Sequence, residues 1–179
     1  MWPRETLSAF DHYLAGKALR FEGVLVGGAA LNLLGVVSRS TRDCDVLYPM
    51  LPEEVQIAAR AFAADQRQAG ETLADDWLNN GPAALAKQLP DGWETRVQPV
   101  FSGNAIELQS LGREDFLRAK LFALCDRGRD LGDCLALAPT LDELAAVMPW
   151  VEQQDLNPDW PAHVRGTLAD LGRRLGHGL

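Results

Sequence analysis

Val24-Leu25-Val26-Gly27-Gly28, followed after a short apolar segment by Arg39-Ser40-Thr41-Arg42-Asp43-Cys44-Asp45-Val46-Leu47-Tyr48, is the stretch that decides the fold. Val24–Val26 is β-branched and aliphatic, too short for a helix and bounded by glycine on both sides, so it reads as a buried strand. Ala29–Leu34 reads as a short helix ended by Gly35, Ser38–Arg42 as a polar connection, and Asp43–Tyr48 as a second strand stopped by Pro49. Strand, glycine turn, short helix and strand thus follow one another within 25 residues.

Outward from this centre, Leu7, Phe10, Tyr13 and Leu14 recur at helical spacing and predict an amphipathic helix over about 6–19. Pro52-Glu53-Glu54 suits a helix start, and that helix is expected to run to about Gln68. Residues 75–80 read as a loop, with a short helix at about 83–88. Two strands, 95–101 and 105–108, are expected around the turn Ser102-Gly103-Asn104. Helices follow over 114–126, from near Asp130, from the capping box Thr140-Leu141-Asp142-Glu143, and over 164–175 beyond Pro158 and Pro161. This order predicts an α+β fold, a small mixed sheet with flanking helices and a helical C-terminal part. The expected division is a core over 1–138 and a helical extension over 139–179.

Composition narrows the function classes. Of 179 residues, 17 are Lys or Arg and 25 are Asp or Glu, a net charge of −8 that disfavours nonspecific nucleic-acid binding. One local basic run exists, Arg113, Arg118, Lys120, Arg127 and Arg129, for which a solvated charged face is the default reading. Cys44, Cys125 and Cys134 form no C-x-x-C pair, which argues against a disulfide framework or thiolate zinc site. His12, His163 and His177 lack ligand spacing. No apolar run approaches a membrane span and the first residues lack the order of a signal peptide, so a cytoplasmic protein with no membrane partner is expected.

The chemistry is concentrated in the opening stretch. Alternation along a strand turns Asp43 and Asp45 the same way. Two such carboxylates repel, and a divalent cation relieves the repulsion; Mg²⁺ takes one or two carboxylates together with substrate phosphates. Gly27-Gly28 lets backbone N–H groups approach a phosphate closely, although a lone Gly-Gly more often marks only a tight turn. The third glycine of a dinucleotide fingerprint is absent.

Val24–Tyr48 resembles the opening signature of the nucleotidyltransferase (polymerase-β-like) superfamily. The run Arg39, Thr41, Asp43, Asp45 is similar to the toxin-like branch that includes the AbiEii and MenT-type enzymes. Lys120–Ala123 through Arg127–Asp133 resembles that branch's later motif. The whole chain, including Leu89–Glu94 and Asn157–Pro161, also resembles an uncharacterised bacterial family labelled nucleotidyltransferase-like. The resemblance implies Mg²⁺-dependent transfer of an NMP group from an NTP to a protein or RNA acceptor, in a toxin–antitoxin or phage-defence setting with a cognate antitoxin. It implies that Asp43 and Asp45 hold the metal and that Gly27, Gly28, Arg39, Thr41 and Arg127 contact the nucleotide. Lys120 would be a phosphate ligand, and Asp130 and Asp133 would act on the acceptor or orient Lys120 and Arg127. The residue-level alternatives are ordinary ones: Lys120 and Arg127 in helix ion pairs, Asp130 as an N-cap.

The superfamily commonly carries a third carboxylate on a strand beside the Asp pair. Strand 95–100 has no acid at its middle; Glu94 and Glu107 could substitute only if the sheet brings one of them close to Asp43. Without such an acid, a catalytically silent nucleotide- or protein-binding module is the alternative reading.

Overall fold

The computed structural model describes residues 1–177 and divides into two compact units, Met1–Gly112 and Arg113–Leu179. Among the described residues the first carries three α-helices, two short 3₁₀ helices and a five-stranded mixed sheet, the second four α-helices, so the fold is α+β with a helical C-terminal part. The expected core, 1–138, extends past the end of the first unit and takes in two helices of the second.

In the first unit, α1 spans Pro3–Gly16 and begins earlier than its apolar spacing suggests. Pro3 at the first helical position has its φ already set for a helix and lacks only an N–H that would be unpaired there. Leu7, Phe10 and Leu14 form its buried stripe. β1 (Phe21–Val26), α2 (Gly27–Leu33), β2 (Cys44–Tyr48) and α3 (Glu53–Gln68) follow in the expected order. Trp77, Phe10 and Phe62 then make the aromatic centre of the core: Trp77 is fully buried, meets Phe10 edge-on at 5.1 Å and donates from its indole to Ala59 O. Such a ring buries a large apolar body while its one polar atom finds a partner.

Two expectations need correction. Residues 75–80, read as a loop, contain β3 (Leu78–Asn79), a two-residue strand at the sheet edge. The strand expected from Thr95 starts only at Gln98, because Gly92 in a left-handed conformation leads into a 3₁₀ turn over Trp93–Arg96. The sheet order is β3-β2-β1-β5-β4, with β4 at Gln98–Ser102 and β5 at Ile106–Ser110. β1 is antiparallel to β2 and parallel to β5, so the two strands of the opening stretch lie at the sheet's middle.

The hairpin between β4 and β5 is closed from outside by Asp11 of α1. Its buried carboxylate accepts from Asn104 N (3.0 Å), Ala105 N (2.8 Å) and Ile106 N (2.9 Å). Gly103 leaves room for it; a methyl group there would collide with the carboxylate.

In the second unit, α4 (Arg113–Arg127) packs on α5 (Leu131–Leu137), α6 (Leu141–Glu152) and α7 (Trp160–Arg174). The capping box at Thr140 is complete: Thr140 Oγ1 accepts from Glu143 N and Glu143 Oε2 from Thr140 N. The last helix starts at Trp160, so Pro161 falls inside its first turn, where proline is tolerated. Among the described residues no helix is long and apolar enough to cross a membrane.

Two stability predictions follow from these contacts. Asp11→Ala strands three hairpin N–H groups, those of Ala105 and Ile106 buried, and should cost about 3 kcal/mol in urea denaturation, whereas a surface change such as Asp65→Ala should cost little. Glu143 is held down to about 2 chiefly by its hydrogen bond from Arg113, and by Thr140 N–H, against the opposing effect of burial. A depressed carboxylate stabilises the fold above its unfolded value of about 4.3 and loses that contribution as pH falls toward the folded value. The stability difference between wild type and Glu143→Gln should therefore be full near pH 6 and shrink between about pH 4 and 2.

Candidate functional site

The Asp pair sits where its strand meets the glycine turn. The strand expected from Asp43 begins only at Cys44, so Asp43 stands immediately before β2; burial alternates over the three residues, with Asp43 half-buried, Cys44 buried and Asp45 half-buried. The β1–β2 register sets Asp45 opposite Val26, immediately before Gly27. Gly27 has φ +76°, and a Cβ built on it would lie 2.6 Å from Asp45 Oδ2. A Cβ on Gly28 would lie 3.2 Å from Thr41 Oγ1 and 3.6 Å from Arg39 Nη2. The absence of side chains at both glycines is thus what allows Asp45, Thr41 and Arg39 to crowd against the turn.

Local contacts hold this arrangement. Asn32 of α2 donates to Arg39 O (3.0 Å), fixing the polar connection over the helix that precedes it. Thr41 N donates to Met1 O, and Thr41 Oγ1 to Asp43 O (3.3 Å). No side chain caps the N-terminus of α2. The Asp43 carboxylate makes no hydrogen bond or ion pair among the described residues. Burial, with the charges of Asp45 and Asp43 added, pushes the Cys44 thiol far up, so it is an inert core group and no thiolate. Cys125 and Cys134 are likewise buried and pushed up, to about 11 and about 12.

Sequence reasoning missed Asn79. It lies directly beside Asp45 on β3, in register with it, and its Nδ2 donates to Asp45 Oδ1 at 3.2 Å. Only a residue on a strand of two, without periodicity of its own, reaches this place, and no local signal marks it.

Neither acid considered as a third carboxylate joins the pair. Glu107 pairs across β1 with Glu22, four residues before Val26, or about 13 Å along the strand at the usual rise. It accepts instead from Ser102 Oγ at 2.7 Å. Glu94 lies exposed in the 3₁₀ turn. Among the described residues no group of three His, Cys, Asp or Glu side chains could hold a metal ion. The donor set at the turn is therefore two carboxylates. That suits a Mg²⁺ ion whose other ligands are phosphate and water oxygens, and does not make an all-protein cage.

The second motif lies in the helical unit. Lys120, on α4 and buried, places Nζ 2.7 Å from Asp133 Oδ2 and 3.1 Å from Asp130 Oδ1. Asp130 stands at the N-cap position of α5, yet with φ +67° its side chain makes no capping bond and turns to Lys120 instead. Arg127 is not part of this cluster: it is largely exposed and faces Asp126 at 3.8 Å. Two further members of the basic run are paired within their own unit, Arg113 with Glu143 and Arg118 with Glu114 and Asp115. The three histidines each donate to a backbone carbonyl, of Ser8, Cys125 and Pro139 respectively.

In this mixed sheet the end of β1 thus brings the Gly27-Gly28 turn against Asp45 of β2 and against Thr41 and Arg39 of the connection before it. The chain belongs to the family described as nucleotidyltransferase of unknown function (DUF6036), whose family model matches residues 6–138. No curated protein and no solved structure matches it.

Gly27→Ala should force a left-handed alanine against Asp45 and cost about 1–2 kcal/mol in chemical denaturation, more than Gly28→Ala. Lys120→Met leaves Asp133 buried without its cation and should cost about 3–5 kcal/mol, read as a lowered urea midpoint.

Proposed function

We propose that the Gly27–Gly28 turn and the Asp43–Asp45 pair form a nucleoside-triphosphate site, and that the protein transfers an NMP group from it to a protein or RNA acceptor. The observation that carries this reading is the convergence of both halves of the opening motif: Gly27 lies against the Asp45 carboxylate and Gly28 against Thr41 and Arg39. The open backbone of the glycines can receive phosphate oxygens on N–H donors, and Arg39 adds positive charge beside them. A divalent cation held by Asp43 and Asp45 would supply neutralisation of phosphate charge. For Lys120, which Asp130 and Asp133 hold within the helical unit, a phosphate-ligand role is implied by the resemblance of the second motif alone. The acceptor class and a toxin–antitoxin setting rest on the same resemblance.

A specific observation favours a second reading, a silent module that binds nucleotide without turning it over. The residue beside Asp45 on the neighbouring strand is an amide, which offers no base for an attacking hydroxyl.

Calorimetric titration of ATP, GTP, CTP and UTP with and without Mg²⁺ tests the site. Binding of at least one NTP should require Mg²⁺ and fall at least tenfold in Asp43→Asn and Asp45→Asn; equal binding by the folded variants would overturn the assignment. Pyrophosphate release separates the readings, since the silent module gives none.

A further inference from the structure

Asn79 is wedged between two demands. Its Oδ1 accepts from Gly81 N at 2.7 Å, and its Nδ2 donates to Asp45 Oδ1 at 3.2 Å and to Asp76 O at 3.3 Å. An amide flip would set NH₂ against the Gly81 N–H and an oxygen against a carboxylate, so the orientation is fixed by its partners. The close fit of the Asn79–Gly81 turn reinforces it: a Cβ on Gly81 would sit 2.8 Å from Asn79 Oδ1. Asn79 therefore presents hydrogen, and no lone pair, to the space beside Asp45.

We infer that Asn79 is a positioning residue that occupies the place where a third metal-binding carboxylate would have to stand, so that the Asp43–Asp45 pair takes up a divalent cation only together with phosphate oxygens. This deepens the nucleotide-site reading and rests on it for the phosphate. Two carboxylates supply two of about six ligands that Mg²⁺ requires. The Asn79 amide holds one Asp45 oxygen in place and cannot itself turn an oxygen toward the cation without giving up Gly81 N–H. Residence of the cation is thereby tied to arrival of the nucleotide, and the site resists loading by the free ion.

The test uses the full chain, Mn²⁺ alone as probe, and no nucleotide. Electron paramagnetic resonance counts free Mn²⁺ during titration of wild type, Asn79→Asp and Asn79→Asp/Asp45→Asn. Asn79→Asp keeps an acceptor for Gly81 N–H and adds a carboxylate facing Asp45. It should bind Mn²⁺ at least about tenfold more tightly than wild type. Adding Asp45→Asn should remove the gain. The same variant should be less stable than wild type without metal, from like-charge repulsion, and should recover in Mn²⁺ with a rise in Tm that wild type lacks. A merely structural amide would lose stability in Asn79→Asp with no metal-dependent recovery. If Asn79→Asp is unfolded without metal, native near-ultraviolet circular dichroism returning on addition of Mn²⁺ supports the inference, and failure to return overturns it. Wild type binding Mn²⁺ alone as tightly as folded Asn79→Asp also overturns it. Because none of these readouts needs an NTP, failure of wild type to bind NTPs would sink the proposed function and the dependence on phosphate with it, and leave the placement of Asn79 at the cation site standing on the Mn²⁺ result.

Discussion

The approach of the Gly27 backbone to the Asp45 carboxylate constrains the whole first unit. It requires β1 and β2 to be antiparallel neighbours, with Val26 opposite Asp45, and it requires the chain to leave β1 through a residue free to adopt a positive φ. The connection carrying Arg39 and Thr41 must then fold back over the same turn, and Asn32 of α2 ties it down. The remaining strands add to an arrangement already determined here: β5 and β4 extend the sheet on the β1 side, and β3 closes it on the β2 side, bringing Asn79 to Asp45.

The helical unit handles charge differently. Around the glycine turn, the Asp43 carboxylate makes no hydrogen bond or ion pair among the described residues. Around Lys120 the charges close on themselves, one buried ammonium between two carboxylates. Buried sets of this kind add little net stability against an apolar replacement, but losing one member is expensive, so they fix geometry more than they strengthen it. Asp130 shows the preference directly, since it stands where a helix cap would be and turns to Lys120.

What the sequence made legible was what local rules control. The strand–turn–helix–strand order around Gly27-Gly28 and the Asp pair was readable because glycine, β-branched runs and alternation all act over a few residues. The Thr140–Glu143 box was readable for the same reason. β3 was not, because two residues show no period, and its existence depends on pairing with β2. The late start of β4 followed from a left-handed Gly92, which redirects the chain before the β-branched run can take effect. Asn79 and Asp11 were invisible for a common reason: each acts on partners far away in sequence, and a polar residue on a short strand or a helix announces no distant donor or acceptor. The same limit hid the failure of Glu107 to reach the pair, since only the parallel register of β5 on β1 decides it.

Asp11 and its three donors are separated by 93 to 95 residues. During synthesis the first helix therefore emerges carrying an acid whose partners do not yet exist, and remains incomplete until almost the entire first unit has left the ribosome. Closing so long a loop is entropically demanding, and contacts of this range slow folding. The N-terminal helix thus serves as a late clasp, and a nascent chain halted short of the hairpin should still lack its native sheet.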